Sequence, residues 1–433
     1  MNYRFSEIEL RVLETIDNYA DQIIAFGEKV QKVPELGYKE VKTSELVCEQ
    51  FDSLEIPYEK GLAITGVRGM CKGKDGPHVS VIGELDAVPC RKHPFADAQT
   101  GAAHACGHNA QLAAMIGVAI GLKQSGVMEN LSGDVSFFAV PAEEYIDLDY
   151  RRTLREEGKI RYCGGKQQLI AEGAFDDVDI AMMVHAQPNS PNEEVYVHGG
   201  SLGFVEKQIT FKGKAAHASE PFTGVNALNA AALAILGMHT NRERFREQDK
   251  IRVHPIITKG GDVVNTVPDE VCMDSYVRGA SFEAIQKAAE DTDRSIRGAA
   301  AMVGAEAIIH TATGYFPLQQ DKKLGEVFRK IATQLVPGEK VFSGVDMIGS
   351  SDIGDLSQLI PCIQPTIGGF NGALHSKEFC VSNKRIAYIL PAKIMALTVV
   401  KLLANNAEKA KEIINEFKPF MTKEAYLSAL DGK

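Results

Sequence analysis

The sequence lacks tryptophan, any Cys-x-x-Cys pair, any long apolar run and any excess of basic residues. Its eight cysteines lie far apart, so we expect reduced thiols of a cytoplasmic protein and no disulfide framework. The 47 Lys and Arg residues are outnumbered by 57 Asp and Glu, and the net charge of -10 argues against a nucleic-acid or anionic-membrane partner. No apolar run approaches the roughly 20 residues that cross a bilayer, and the charged N-terminus is unlike a signal peptide.

The chain is long enough for two domains, because its 433 residues exceed the usual single-domain size of about 100–200. Apolar runs at residues 78–85 and 133–140 predict buried strands, and residues 109–126 between them carry apolar side chains at helical spacing. A further amphipathic helix is predicted over residues 7–33. The alternation of strand and helix predicts an α/β domain with a mixed, largely parallel sheet.

The pattern changes after residue 198. Strands are predicted at residues 203–212, 251–258, 270–278 and 307–313, with helices at residues 226–245 and 281–302. This β-α-β-β-α-β order is typical of a ferredoxin-like α+β layer, and the α/β pattern returns after it. We therefore predict a discontinuous catalytic domain, residues 1–198 and 314–433, interrupted by an inserted domain, residues 199–313.

The densest group of reactive side chains is His104-Ala-Cys106-Gly-His108, just before the predicted helix 109–126. A thiolate and an imidazole two residues apart can face one metal ion, and the glycine between them allows a tight turn. A polar loop with an incidental cysteine would have the same local sequence. The segment alone leaves both interpretations open.

Three further segments place carboxylates or histidines near predicted strand ends. Glu143 and Glu144 follow the strand that ends at Val140, His185 closes another apolar run, and His375 lies in a late glycine-rich loop. Each alone could be a surface charge or a satisfied core histidine. Together with the earlier cysteine and histidine, they supply the ligand types that zinc and similar divalent metals favour, and Glu143 is left as a base.

The order of motifs resembles the dinuclear metal amidohydrolases of the aminoacylase and carboxypeptidase type. The matching segments are GELDAVP, HACGHN, PAEE, a strand-end His185, KGKAAHASEP, NTVPD, a strand-end Arg278 and a late LHS. Within that family, the chain is most similar to the branch with hippurate hydrolase, auxin-conjugate hydrolases and p-aminobenzoyl-glutamate hydrolase subunits. The resemblance runs across nearly the whole chain.

The resemblance implies a role for each of several residues. The matched metal ligands, for two divalent ions, are Cys106, His108, Glu144, His185 and His375. Zinc or manganese is the expected metal, with nickel or cobalt as alternatives. Glu143 matches the general base, and His217 matches a histidine that reaches the partner's active site in dimeric relatives. Asn265 and Arg278 match substrate-binding positions. From the residues alone, His217 could instead cap a loop and Arg278 could pair with a local acid.

The sequence also departs from the family pattern. Asn109 and Gln111 stand where relatives have Asp and His, so a carboxylate that orients a ligand is expected to be missing. Asp86, in GELDAVP, remains available for that task. Residues 145–162 look like an insertion, either a specificity wall or a plain surface helix. Residues 350–357 resemble the p-aminobenzoyl-glutamate hydrolase subunits and their nearest relatives more than the auxin-conjugate enzymes.

We expect a metal-dependent enzyme that hydrolyses the amide bond of N-acyl, aroyl or aminoacyl amino acids and releases a free amino acid. The resemblance also implies a homodimer formed through the inserted domain, which would serve as a lid. A dipeptidase or aminopeptidase on the same scaffold is one alternative. A non-catalytic subunit or binding protein of a two-subunit amidohydrolase is the other.

Overall fold

The computed structural model describes residues 5–197, 199–344, 346–347 and 349–432. Its α-helices are α1 Glu7–Asn18, α2 Ala20–Gln31, α3 Val41–Ser53, α4 His108–Gln124, α5 Leu148–Glu156, α6 Gly165–Glu172, α7 Ala227–Thr240, α8 Phe282–Val303, α9 Lys322–Leu335, α10 Ile353–Ser357, α11 Leu390–Glu416 and α12 Lys423–Leu430. Its strands are β1 Tyr58–Leu62, β2 Gly66–Cys71, β3 Lys74–Glu84, β4 Val88–Pro89, β5 Ala102–Ala103, β6 Ser132–Val140, β7 Ile180–Met182, β8 His185–Ala186, β9 Val195–Val197, β10 Gly203–Lys212, β11 Arg252–Lys259, β12 Glu270–Gly279, β13 Glu306–Thr313, β14 Val341–Ser343, β15 Cys362–Ile363, β16 Thr366–Ile367, β17 Phe370–Asn371 and β18 Cys380–Val381.

The described residues form two units. The first unit spans Met1–Gly200, Gln319–Asp346 and Asp355–Phe420, and the second spans Ser201–Leu318, Met347–Gly354 and Met421–Lys433. The second unit thus contains two short segments in addition to the region predicted as an inserted domain. The functional division into a catalytic domain and a lid stays a prediction.

The first unit is built on a six-stranded sheet of order β1-β2-β6-β3-β7-β15. Three of its five pairings, β6 with β3, β3 with β7 and β7 with β15, are parallel. The central strands β3 and β6 are almost continuously buried because helices cover the sheet, as in other α/β proteins. The predicted mixed, largely parallel α/β fold is confirmed.

Helices α4 and α11 form much of the core of this unit. In α4, every residue from His108 to Leu122 is buried. Helix α11 packs against α4 and α9, and its backbone leaves the helical conformation at residues 404–407. Within the described residues, one helical stretch, Arg385–Glu416, has the length and composition of a membrane span, but 83% of its most apolar window is buried inside the protein. It is therefore a core helix of this unit.

The second unit has an antiparallel sheet of order β11-β12-β10-β13. Helices α7 and α8 follow β10 and β12 in the chain, and their alanine-rich faces pack with the apolar side chains of the sheet. This is the predicted β-α-β-β-α-β layer, and that part of the fold prediction is also confirmed.

Two predicted helices differ from those of the structure. The region predicted as a single helix over residues 7–33 is divided at Tyr19 into α1 and α2, because Tyr19 has φ -100° and ψ 9° and ends the first helix. The helix predicted to reach residue 245 ends at Thr240, where a short 3₁₀ turn, Asn241–Arg244, takes over. Neither difference affects the candidate site.

Candidate metal centre and active site

The parallel neighbouring strands β3 and β6 of the main sheet bring four carboxylates to the edge of the sheet at which both strands end. Strand β3 ends at Glu84, which lies opposite Val140 at the end of β6. Asp86 follows the first strand, and Glu143 and Glu144 follow the second. The carboxyl ends of parallel strands are where open α/β sheets place their binding sites. The sheet therefore concentrates acidic groups at this edge.

Cys106 and His108 reach the same edge from the turn before α4. Gly107 between them has φ +88°, and a Cβ atom there would lie 2.7 Å from the Cβ of Ala186, so glycine suits both the conformation and the space. Cys106 Sγ lies 3.5 Å from His185 Nε2. The potential ligand atoms of Cys106, His108 and His185 all lie within 4.8 Å of one another.

A second group shares the same thiol. Cys106, Glu144 and His375 also have potential ligand atoms within 4.8 Å of one another, and Glu144 Oε1 lies 3.1 Å from His375 Nε2. His375 is the exposed member of the group and has φ +61°. The structure therefore brings the five predicted ligands into two overlapping groups joined at Cys106.

A third group includes a residue that the sequence analysis did not select. Glu84, His108 and Glu143 have potential ligand atoms within 4.8 Å of one another, and Glu84 Oε2 lies 3.1 Å from His108 Nε2. The signal was available, since Glu84 precedes Asp86 by two residues in the same GELDAVP segment. Glu84 also forms a fully buried ion pair with Lys166, 2.6 Å from Oε1 to Nζ.

Gln111 and Asn109 have structural roles that the sequence did not reveal. Gln111 Nε2 donates to Glu84 Oε2 at 2.8 Å, so the amide orients a carboxylate that stands against His108. Asn109 Nδ2 donates to the carbonyl of Gly27 and to the hydroxyl of Tyr388, each at 3.3 Å. Asn109 and Gln111 thus provide no carboxylate themselves, and Glu84 and Asp86 are the carboxylates that lie beside His108.

Asp86 orients two of the candidate ligands. His108 Nδ1 lies 2.8 Å from the Asp86 carbonyl oxygen and 3.2 Å from its Oδ1. When Nδ1 carries the proton and donates it, Nε2 of the neutral ring presents its lone pair to the cluster. Asp86 Oδ2 accepts from the backbone N–H of Glu144 at 2.9 Å. One carboxylate therefore fixes a histidine and the loop that carries the glutamates.

Burial and neighbouring charges perturb the ionisation of these groups. Burial, followed by the charge of Glu144, raises the pKa of the Cys106 thiol well above its usual value. Burial opposes protonation of His108, but Glu84 and Asp86 outweigh it and raise the pKa of His108 well above the ordinary range. Burial lowers the pKa of His185. A divalent cation would therefore displace protons from Cys106 and His108 as it binds.

The donor set fits divalent metal ions. His108 Nε2 and Glu144 Oε1 are buried atoms that make no hydrogen bond of proper geometry within the described part of the chain. Such orphaned polar atoms are costly unless another partner satisfies them. Imidazole nitrogen, thiolate sulfur and carboxylate oxygen together are ligands that zinc and related borderline metals accept.

The remaining predicted residues lie in the second unit. His217 is exposed, and its Nδ1 accepts from the hydroxyl of Ser219 at 2.7 Å and from the Ser219 N–H at 3.2 Å. This turn matches the loop-capping alternative, but it also leaves the proton of the neutral ring on Nε2, where it can be donated outward. Asn265 is also exposed, and it lies beside His217 because the Ala218 N–H donates to the Asn265 carbonyl.

Arg278 is a half-buried cation near the end of β12. Its guanidinium lies over the rings of Phe204 and Tyr276, 5.0 Å and 5.4 Å from their centroids, and donates to Ser350 Oγ at 2.7 Å. Among the described residues, no carboxylate forms an ion pair with Arg278. The alternative in which a local acid pairs with this arginine is therefore not found in the structure.

Comparison with known proteins identifies the family. The model described as Peptidase family M20/M25/M40 matches residues 81–390, which cover most of the chain and all three ligand groups. The chain belongs to this family. The family identification confirms the predicted resemblance and the prediction of a metal-dependent amide hydrolase.

This M20 family member has relatives across its whole length. The Xaa-Arg dipeptidase of Homo sapiens is 27% identical over 98% of this chain and 95% of that protein. The IAA-amino acid hydrolase ILR1-like 2 of Arabidopsis thaliana is 25% identical over 93% of this chain and 91% of that protein. A crystal structure of a dinuclear metal-binding M20 peptidase from Bacillus subtilis aligns with a TM-score of 0.72 and 24% identity, covering 89% of this chain and 99% of its own.

Proposed function

We propose that this M20 family member binds two divalent metal ions, zinc or manganese, and hydrolyses the amide bond of N-acyl or aminoacyl amino acids. The observation that carries the proposal is the pair of ligand groups that share Cys106, with Glu143 beside them. Bound cations supply Lewis acidity, which acidifies water and polarises a carbonyl. Their ligands would be Cys106, His108, Glu144, His185 and His375.

In the proposed mechanism, Glu143 acts as general base and then as general acid. Its carboxylate takes a proton from water as the water oxygen bonds to the amide carbon. The same carboxyl group returns the proton to the leaving nitrogen as the C–N bond breaks. The Nε2–H of His217 would donate a hydrogen bond to the oxyanion of the tetrahedral intermediate, where preorganised donors contribute most to rate.

The substrate class follows from Arg278. A half-buried guanidinium without an ion-pair partner among the described residues favours an anionic ligand, and its planar fork suits a carboxylate. We infer that Arg278 binds the free carboxylate of the amino-acid part and that Asn265 is a second substrate-binding residue. The relatives named IAA-amino acid hydrolase and Xaa-Arg dipeptidase have an amino acid in common on this side of the bond.

A dipeptidase remains the second candidate. It is favoured by the 27% identity to the Xaa-Arg dipeptidase over 98% of this chain. The two candidates differ only on the acyl side of the bond, where a dipeptide carries a free amino group. They share the metal ligands, the base and the carboxylate contact proposed above.

We also propose a homodimer formed through the second unit, in a cytoplasmic setting. His217 and Asn265 are exposed next to apolar side chains that face solvent, including Phe222 at 83% exposure and Val264 at 100%. Exposed apolar groups of this kind are typical of interaction surfaces. The cysteines of the chain are all free, which supports a reducing compartment.

The test is a substrate screen combined with metal analysis. Purified protein would be reconstituted separately with zinc, manganese, nickel and cobalt, and assayed on N-acyl amino acids, their carboxamide analogues and free dipeptides. We expect up to two metals per chain and turnover only of substrates with a free carboxylate. Faster turnover of dipeptides than of N-acyl amino acids would favour the second candidate. Fewer than one metal per chain after reconstitution would contradict the proposed function.

A further inference from the structure

The region predicted as an insertion contains a buried arginine. Residues 145–162 include the short helix α5, in which Arg151 has 0% exposure whereas Arg152 and Arg155 are exposed. Arginine is almost never fully buried unless its charge and donors have partners. The helix is therefore more than a plain surface helix, because its one fully buried cation faces the protein interior.

The partners of Arg151 belong to the loop that carries the proposed base. Its Nη2 donates to the carbonyl of Glu144, and its Nη1 donates to the carbonyls of Cys163 at 2.7 Å and of Ala142 at 3.5 Å. Its guanidinium also lies 5.4 Å from the ring centroid of Tyr38. Three backbone carbonyls, two of them directly flanking Glu143, thus converge on one side chain.

The space for this guanidinium comes from a glycine. A Cβ atom at Gly37 would lie 2.4 Å from Arg151 Nη2 and 2.9 Å from the Cα of Ala142. Any side chain there would displace the arginine or the loop. The close fit of Gly37 against Ala142 and Arg151, more than 100 residues further along the chain, therefore depends on the absence of a side chain at position 37.

The loop needs such support because its backbone is unusual. Ala142 has φ +54°, in the left-handed region that residues with a side chain rarely adopt. Its N–H donates to Glu40 Oε1 at 2.8 Å, and its carbonyl also accepts from Gly165 N–H at 3.0 Å. The N–H of Glu144 is held by Asp86. The carboxyl groups of Glu40 and Asp86 therefore accept from the N–H groups on both sides of Glu143, and Arg151 donates to the carbonyls.

We propose that Arg151 is a positioning residue that fixes the Glu143–Glu144 pair for catalysis and metal binding. This inference rests on the proposed function, in which Glu143 is the base and Glu144 a ligand. Arg151 acts through backbone carbonyls and does not touch the reacting atoms. Residues 145–162 accordingly hold in place the loop that carries Glu143 and Glu144, which we call the base loop. Lysine cannot replace Arg151, because one ammonium group cannot donate in the directions of a planar fork.

The test compares Arg151→Lys and Arg151→Ala with the matched variants Arg152→Lys and Arg152→Ala on the same helix. Arg152 is exposed and pairs with Asp149, so its replacement controls for loss of a positive charge on α5. We expect Arg151→Lys to lower kcat about 10- to 100-fold with KM changed less than about threefold, since small misplacements of catalytic groups have effects of this size. Added guanidinium, at non-denaturing concentration, should restore part of the activity of Arg151→Ala but not change the control.

A second measurement does not depend on turnover. In the cobalt-substituted protein, Arg151→Lys should alter the visible absorption of the metal centre while the metal content per folded chain stays as in the wild type. The Arg152 variants should leave the spectrum unchanged. A wild-type spectrum and a wild-type kcat in folded Arg151→Lys would overturn the inference, as would a loss of activity that only follows the fraction of unfolded protein.

The failure of this inference can be told from failure of the proposed function. If Glu143→Gln is inactive and Arg151→Lys is fully active with an unchanged spectrum, Glu143 remains the proposed base and the positioning role of Arg151 is contradicted. If the wild-type protein binds cobalt but hydrolyses no amide, the spectrum still decides whether Arg151 positions Glu144.

Discussion

The two units supply parts of the proposed active site in opposite ways. In the first unit, Cys106 and His108 are buried, and each is fixed by further side chains or backbone groups. In the second unit, His217 and Asn265 are exposed on loops, beside apolar groups that face solvent. The candidate metal ligands are thus held in place by contacts within their own unit, whereas His217 and Asn265 would be covered only in the proposed dimer. This difference can be tested directly.

The largest effect is expected from removing the proposed base in the first unit. Glu143→Gln keeps the shape of the side chain but cannot take a proton, so we expect kcat to fall about 10²–10⁴-fold. Metal content should stay unchanged, because Glu143 is outside the five proposed ligands. The measurement is kcat together with metal analysis, and Glu129→Gln, at an exposed position before β6, is the control. Substantial residual activity would exclude Glu143 as the base.

The second prediction concerns the buried ion pair behind His108. Lys166→Met removes the nearest cation from the buried Glu84 and leaves His108 as its closest charged partner, and breaking such a buried pair costs roughly 3–5 kcal/mol. The double variant Glu84→Gln with Lys166→Met should recover part of that loss. Denaturant unfolding of the metal-free protein gives the free energies. The exposed pair Lys29–Glu49 provides the contrast, since Lys29→Met should cost no more than about 1 kcal/mol. Equal losses of stability in Lys166→Met and Lys29→Met would contradict the role of Lys166 as the partner of a buried charge.

The third prediction asks whether the exposed unit acts across a dimer. His217→Ala should lower kcat about 10²-fold by loss of an oxyanion donor, whereas His310→Ala, an exposed histidine on β13, should have no effect. Mixing inactive Glu143→Gln with inactive His217→Ala creates heterodimers with one complete site. After subunit exchange, activity should rise to about one quarter of the wild-type value if each site takes its histidine from the partner. No recovery, despite proven exchange, would place His217 in its own chain's site.

The sequence predicted the parts of the site that are local in the chain. Cys106 and His108 share one turn, and Glu143 and Glu144 follow one apolar strand, so spacing and strand ends were sufficient to select them. The supporting contacts were not predictable in this way. Arg151 lies in a strongly polar helix whose composition is typical of the surface, and nothing local signals its burial.

The same limit applies to pairs that are distant in sequence. Lys166 reaches Glu84 across 82 residues, and Gln111 reaches the same carboxylate across 27. Neither pair leaves a periodic pattern, because each contact depends on how the strands and helices are arranged in space. Sequence reasoning therefore found the groups that do the chemistry and missed those that hold them. It also interpreted Gln111 only as the loss of a family residue, whereas its side-chain amide donates to Glu84.

The smallest predicted effect comes from Glu40, which anchors the base loop from the N–H side. Burial, with a contribution from Asp86, raises the pKa of Glu40 to about 7, so the folded protein favours the protonated form. The stability that this preference provides is complete below the unfolded pKa of about 4.3 and is lost as the pH rises through 7. Glu40→Gln resembles the protonated form and keeps an oxygen that can accept from Ala142 N–H. The variant should therefore gain stability relative to the wild type between pH 5 and pH 8, by roughly 1 kcal/mol or more. Thermal unfolding of both proteins across this range measures the difference, and parallel curves would show that Glu40 is already ionised in the folded state at pH 5.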